Sequence, residues 1–175
     1  MYTLSAFIAK AGAFAPYQAL SPCITIVPLA QGFEMILSDN FLKDAIGVQP
    51  EFVQVQPHLA ELKQAQVKLA RKRKHIVKRY PSHLTEPLVS FGLAISSQQP
   101  IAYVEAEFFG GVGEQYGVVW DKQQIALLPS TNGLISNEYA DKNTDAPINS
   151  VLRALGVHVE DSFDEFDALR LVDWR

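Results

Sequence analysis

One cysteine, Cys23, is all the thiol this chain has, which excludes an internal disulfide and leaves no thiolate pair for a structural zinc site. A reducing compartment, the cytoplasm, is therefore expected. Cys23 opens an apolar stretch, where a thiol more often packs as a small hydrophobe than reacts. Long hydrophobic runs are missing too: charge, proline or glycine interrupts each one well short of the ~20 residues that cross a bilayer. The opening Met1-Tyr2-Thr3-Leu4-Ser5-Ala6-Phe7 has no basic residue ahead of its apolar ones, and Lys10 breaks what would have to be a signal core. Neither secretion nor membrane insertion is expected. The four histidines, His58, His75, His83 and His158, fall at no metal-ligand spacing. The acids Asp161, Asp164, Glu165 and Asp167 lack the oxygen spacing and central glycine of a calcium loop. No metal and no cofactor is expected, and no internal repeat or low-complexity segment is present.

What remains is an ordinary globular composition, 48% hydrophobic and 19% charged over 175 residues, which is enough to bury a core and places residues 1–175 in a single domain. The net charge of −4 conceals an asymmetry. Lys63, Lys68, Arg71, Lys72, Arg73, Lys74, Lys78 and Arg79 hold eight of the fifteen basic residues, whereas Glu160, Asp161, Asp164, Glu165, Asp167 and Asp173 make the C-terminus acidic. Pairing between these two stretches within the molecule is an attractive expectation.

Hydrophobic periodicity supplies the elements. Cys23–Val27 and Gly32–Leu37 are β-rich and separated by Pro28, so they read as adjacent strands. Ser38-Asp39-Asn40 offers cap chemistry for a short helix ending at Gly47. From Pro57 to Tyr80, Leu59, Leu62, Ala65, Leu69 and Ile76 recur at helical steps, predicting a long basic amphipathic helix. Leu88–Ser96, Ile101–Phe109, Gln115–Trp120 and Gln124–Leu128 then read as strands whose short separators allow only antiparallel connection. Asp145-Ala146-Pro147 begins a helix that stops at Gly156, and Ser162 with Glu165 forms a capping box for a last helix reaching about Leu171. Ser130–Asp145 is the expected exposed loop. The predicted fold is α+β: an antiparallel sheet with a C-terminal-half meander, the long basic helix and two short C-terminal helices.

Three places could carry chemistry. On the strand Ile101–Phe109, side chains alternate, so Tyr103, Glu105 and Glu107 share one side and Ala102, Val104, Ala106 and Phe108 the other. Two rises of ~3.3 Å set the glutamates roughly 7 Å apart, a spacing suited to acid–base work or a hard cation. An antiparallel sheet ordinarily turns the polar side of such a strand to water, and that is where both glutamates are expected. The turn Gly110-Gly111-Val112-Gly113 could open backbone amides to an anion. It lacks the Gly-Lys-Ser/Thr of a P-loop and leads into a strand, so a glycine-rich hairpin turn is the better reading. Arg71, Lys72, Arg73, Lys74, Lys78 and Arg79 could neutralise phosphates. Leu69, Ile76 and Val77 interrupt them at helical intervals, however, as on a helix with a solvated basic face.

The segments Tyr103–Gln115, Ile148–Val157 and Asp164–Leu169, with echoes at Met1–Phe7 and Gln31–Leu37, resemble a family of small bacterial proteins to which no activity attaches. The resemblance implies a bacterial cytosolic protein and carries over no catalytic residue. The leading expectation is a non-enzymatic interaction module, similar to the small immunity or inhibitor proteins of toxin systems, whose acidic surface steers a basic protein partner. The alternatives are an enzyme or small-ligand protein built on Glu105, Glu107 and Tyr103, and a nucleic-acid binder using the basic helix.

Overall fold

The computed structural model describes residues 2–53, 58–72, 83–109, 112–129, 133–135 and 146–174. Among these residues the strands are β1 (Tyr2–Lys10), β2 (Ile26–Pro28), β3 (Phe33–Leu37), β4 (Ile101–Phe109), β5 (Val112–Asp121), β6 (Gln124–Leu127) and β7 (Gly133–Ile135). They form one antiparallel sheet in the order β2-β3-β1-β4-β5-β6, with β7 also pairing β5. The helices are α1 (Asn40–Gly47), α2 (Pro50–Val53), α3 (His58–Lys72), α4 (Glu86–Ser96), α5 (Pro147–Ala154) and α6 (Glu165–Ala168). The fold is α+β around an antiparallel sheet.

β4, β5 and β6 form the meander that their short connections require. The β5–β6 turn has only Lys122 and Gln123 at its tip, at φ 49° and 61°, the left-handed pair that matches strand twist in a two-residue hairpin. Neither is glycine or asparagine. The strain is offset by Ser96 at the end of α4, whose carbonyl accepts from Lys122 N–H at 2.8 Å and whose hydroxyl accepts from Gln123 N–H at 3.1 Å.

Helices cover the sheet on both faces. On one, Phe7, Ile36, Ile101, Tyr103, Tyr116, Val118 and Trp120 meet Leu42, Ile46, Phe52, Leu62, Leu88 and Phe91 from α1–α4. Rings dominate this layer: the Phe7 centroid lies 5.3 Å from that of Phe91 and 5.0 Å from that of Tyr103. On the other face, Leu4, Ala6, Ile8, Ala102, Val104, Ala106 and Val119 meet Ile148, Val151 and Leu152 of α5 and the C-terminal Leu169 and Leu171. The expected polar-out side of β4 is thus an interior side, because α4 and its neighbours take the place of water.

Several sequence expectations change for identifiable reasons. Leu88–Ser96 is helix α4 and no strand: Thr85 stands at its N-cap, Pro87 lies in its first turn, and burial on nearly all sides hides its helical period. β1, placed by no sequence signal, is a central strand whose Leu4, Ala6 and Ile8 face one layer and Phe7 and Ala9 the other. It therefore shows no alternation. β2 begins at Ile26, and Cys23 lies exposed in the preceding turn, so it is no core residue. The α6 cap is Asp164, whose Oδ1 accepts from Asp167 N–H at 2.9 Å, in place of Ser162. Within 130–145, residues 133–135 form β7; the remainder, like the extension of α3 through 73–80, lies outside the described residues. The anticipated internal pairing of basic and acidic stretches falls largely on residues 73–80, outside the described residues. Among the described residues Glu165 pairs with Arg153 at 2.6 Å and Asp173 with Arg170 at 3.4 Å. α1 follows expectation, with the Asp39 carboxylate accepting from Leu42 N–H at 2.9 Å.

Candidate functional site

Glu105 sits in the middle of β4, directly across from Ser5 on β1 and from Tyr116 on β5. With strand neighbours on both sides and α4 overhead, it is only 2% exposed. Burying a carboxylate is costly unless hydrogen-bond donors replace water, and two converge on the same oxygen. Tyr103 O–H donates to Glu105 Oε1 at 2.6 Å, and the backbone N–H of His83 donates to it at 2.9 Å. The Tyr103 oxygen is 2.9 Å from Ser5 Oγ, so with its own proton committed to Glu105 it accepts from the serine. Burial first, then the adjacent Glu105 charge and the bond to it, hold the Tyr103 phenol well above its ordinary range, with Ser5 pulling the other way. Tyr103 is a fixed neutral donor.

Two residues along the strand, Glu107 comes to the half-exposed rim, where its Oε1 lies 3.0 Å from His83 Nε2. Both glutamates grip His83, one through its backbone and one through its ring. Imidazole anchored by a carboxylate is fixed in orientation, and with Nε2–H directed to Glu107 the other nitrogen, Nδ1, is the proton acceptor. His83 precedes α4 by a short extended link, Leu84-Thr85, so the helix that roofs Glu105 also sets the height of the imidazole.

Two buried hydroxyls flank this chain. Tyr116, opposite Glu105, has no hydrogen-bond partner for its O–H among the described residues, and burial together with the Glu105 charge makes it a weaker acid, with its pKa raised above the ordinary phenol range. The Ser38 hydroxyl is turned toward Tyr103 without completing a hydrogen bond. Next along the strands, Glu107 faces Glu114 across β4–β5 and Thr3 across β1–β4, so this end of the sheet is polar while the other end is aromatic.

The structure thus unites Tyr103, Glu105 and Glu107 around a residue that sequence spacing passed over. His83 has no regular offset from β4, and only the three-dimensional return of the chain brings it there. The glycine cradle is not assembled among the described residues: Gly110 and Gly111 lie outside them, and Gly113 lies within β5 beneath the Phe108 ring, which a Cβ would strike. Its lack of a side chain serves packing. Arg71 and Lys72 close α3, whereas Arg73, Lys74, Lys78 and Arg79 lie outside the described residues. Among the described residues no three histidine, cysteine or acidic side chains are grouped to hold a metal ion, and no helix is long and apolar enough to cross a membrane. No family model, curated protein or solved structure matches the chain.

Proposed function

We propose that the chain is a small-ligand protein whose contact group is the His83 imidazole, able to exchange a proton with a polar molecule at the Glu107 rim. One observation carries this reading: two carboxylates from one strand converge on a single histidine, at its backbone and at its ring. Glu105 and Tyr103 are positioning residues in this scheme. Glu107 orients the imidazole through the 3.0 Å contact with its Nε2. The interaction reading draws nothing from this grip, since Glu105 is hidden from any partner.

The test is a thermal-shift screen of the full chain against amines, carboxylates, phosphates and sugars. A compound class that stabilises the wild type should lose about tenfold or more in affinity in His83→Gln, as expected when a charge-assisted hydrogen bond is removed. Glu107→Gln should weaken the same class less, because the imidazole is kept and only its anchor at Nε2 changes. Loss of the proposal follows if no class stabilises the wild type, or if binding is indifferent to His83→Gln.

A further inference from the structure

At one level of the sheet a row of polar side chains crosses four strands, on the face that α1–α4 cover. Ser38, just past β3, stands beside β1, where its N–H donates to the Ser5 carbonyl at 2.8 Å; Ser5 is paired with Glu105 of β4, and Glu105 with Tyr116 of β5. One step toward the aromatic end the same places are held by Ile36, Phe7, Tyr103 and Val118, so this row is where an apolar interior turns polar. Three of its members are almost wholly hidden: Ser38 is 4% exposed, Glu105 2% and Tyr116 1%. Glu105 has its donors in Tyr103 and His83. The hydroxyls at the two ends of the row, Ser38 and Tyr116, have no hydrogen-bond partner among the described residues. An unmatched buried donor costs about 1–3 kcal/mol, and phenylalanine would fill the place of Tyr116 without it. Packing alone does not account for the phenol oxygen.

The surroundings of Tyr116 select what can meet it. Burial and the Glu105 charge keep the phenol protonated, so what it lacks is an acceptor. The same charge opposes a carboxylate or phosphate in that position. An ammonium has donors and no acceptor, and would leave the O–H unmatched. An uncharged hydroxyl accepts from the phenol and still has its own proton to give. Two residues along β4 from the Tyr116 level, roughly 7 Å, Glu107 holds the His83 ring at 3.0 Å with Nδ1 as proton acceptor, which a second hydroxyl can serve. The closure around Tyr116 admits one group reaching in from the rim, with the body of the molecule outside.

We infer that the ligand of the His83 site is an uncharged polyhydroxyl compound, a sugar or polyol, one hydroxyl of which reaches inward to the Tyr116 O–H while another meets the imidazole. This rests on the reading of His83 as the contact group, and adds to it a second contact residue and one class of ligand.

Titrations of the full chain followed by amide nuclear magnetic resonance shifts test it, with glucose, ribose, inositol and glycerol as uncharged polyhydroxyl probes, acetate and inorganic phosphate as anions, and methylamine as a cation. A member of the first set should bind, and the three ions should bind about tenfold more weakly or not at all. Tyr116→Phe should weaken the polyhydroxyl probe about tenfold, as for a buried hydrogen bond lost, with an unchanged denaturation midpoint showing the fold intact. Ser38→Ala removes the other hydroxyl without a partner, three strands away, and should leave the affinity as it is. Polyhydroxyl binding that Tyr116→Phe spares, or that Ser38→Ala weakens equally, overturns the inference. Preference for one of the ions overturns it too, and if that binding is lost in His83→Gln the His83 reading stands without it. Binding of no probe removes both.

Discussion

On one side of the sheet the strands present Phe7, Tyr103, Tyr116 and Trp120 to α1–α4; on the other they present Ala6, Ala102, Val104 and Ala106 to α5 and the C-terminal turns. Large rings keep the first helical layer at a distance, and the depth they create at the polar end of β1, β4 and β5 is filled by Glu105, Tyr103, Ser5 and His83. Small aliphatic side chains let the second layer close in. At Gly117, on that side of β5, a Cβ would lie 2.8 Å from Val151 Cγ1 and 3.0 Å from the Pro147 carbonyl oxygen. A polar site can be sheltered under the thick layer. On the thin side the buried polar groups, Asn149 and Glu165, lie instead between α5 and α6.

The sharpest way to break the comparison is to empty each layer from one strand. Phe7 and Ile8 are adjacent, fully buried, and point to opposite faces. Phe7→Ala should cost about 4 kcal/mol, since three aromatic neighbours lose their common contact, and Ile8→Ala about 3 kcal/mol. Chemical denaturation measures both, and a larger loss for Ile8→Ala would reverse the ranking of the layers. Next in size, Gly117→Val should cost about 3 kcal/mol by overpacking, because one of the atoms its side chain meets is backbone and cannot rotate away.

The two tyrosines beside Glu105 sharpen the contrast within the ring-rich layer itself. Tyr103→Phe removes a donor from a buried carboxylate and should cost about 2 kcal/mol. Tyr116→Phe removes a hydroxyl that has no partner among the described residues and should cost close to nothing at neutral pH. In base the two should differ again. Both phenols are held above their ordinary 10.0 in the folded chain, so the stability gained by keeping them neutral is complete below pH 10 and erodes above it, as unfolded tyrosines ionise. Tyr116→Phe removes one such penalty, and its alkaline unfolding, followed by phenolate absorbance, should move to higher pH than in the wild type.

How much of this was legible in the sequence follows from which side chains see water. β4, β5, β6 and α1 could be read because their punctuation is local: Pro100, the Asp121-Lys122-Gln123 turn, and the Asp39 cap. β1 and α4 could not, since each is wrapped by protein on nearly every side and an element without a wet face has no period to detect. For α4 the Thr85 cap position and Pro87 were the available signals, outweighed by the β-branched and aromatic residues that follow. At the site, alternation correctly put Tyr103, Glu105 and Glu107 on one side but could not say what covered that side. The cover, α4 and the His83 link before it, is a long-range fact. No local pattern encodes the fact that Glu105 and Glu107 meet the same imidazole.

The division of the β5 edge between two short strands, β6 against residues 119–121 and β7 against residues 113–115, has a consequence for how the molecule meets others. Neither is long enough to act as a template on which a foreign strand could add over its whole length, and at the far margin β2 is three residues long and ends on Pro28, which has no N–H to offer. Growth by strand addition, the usual hazard of an open sheet, is thus blunted at both margins.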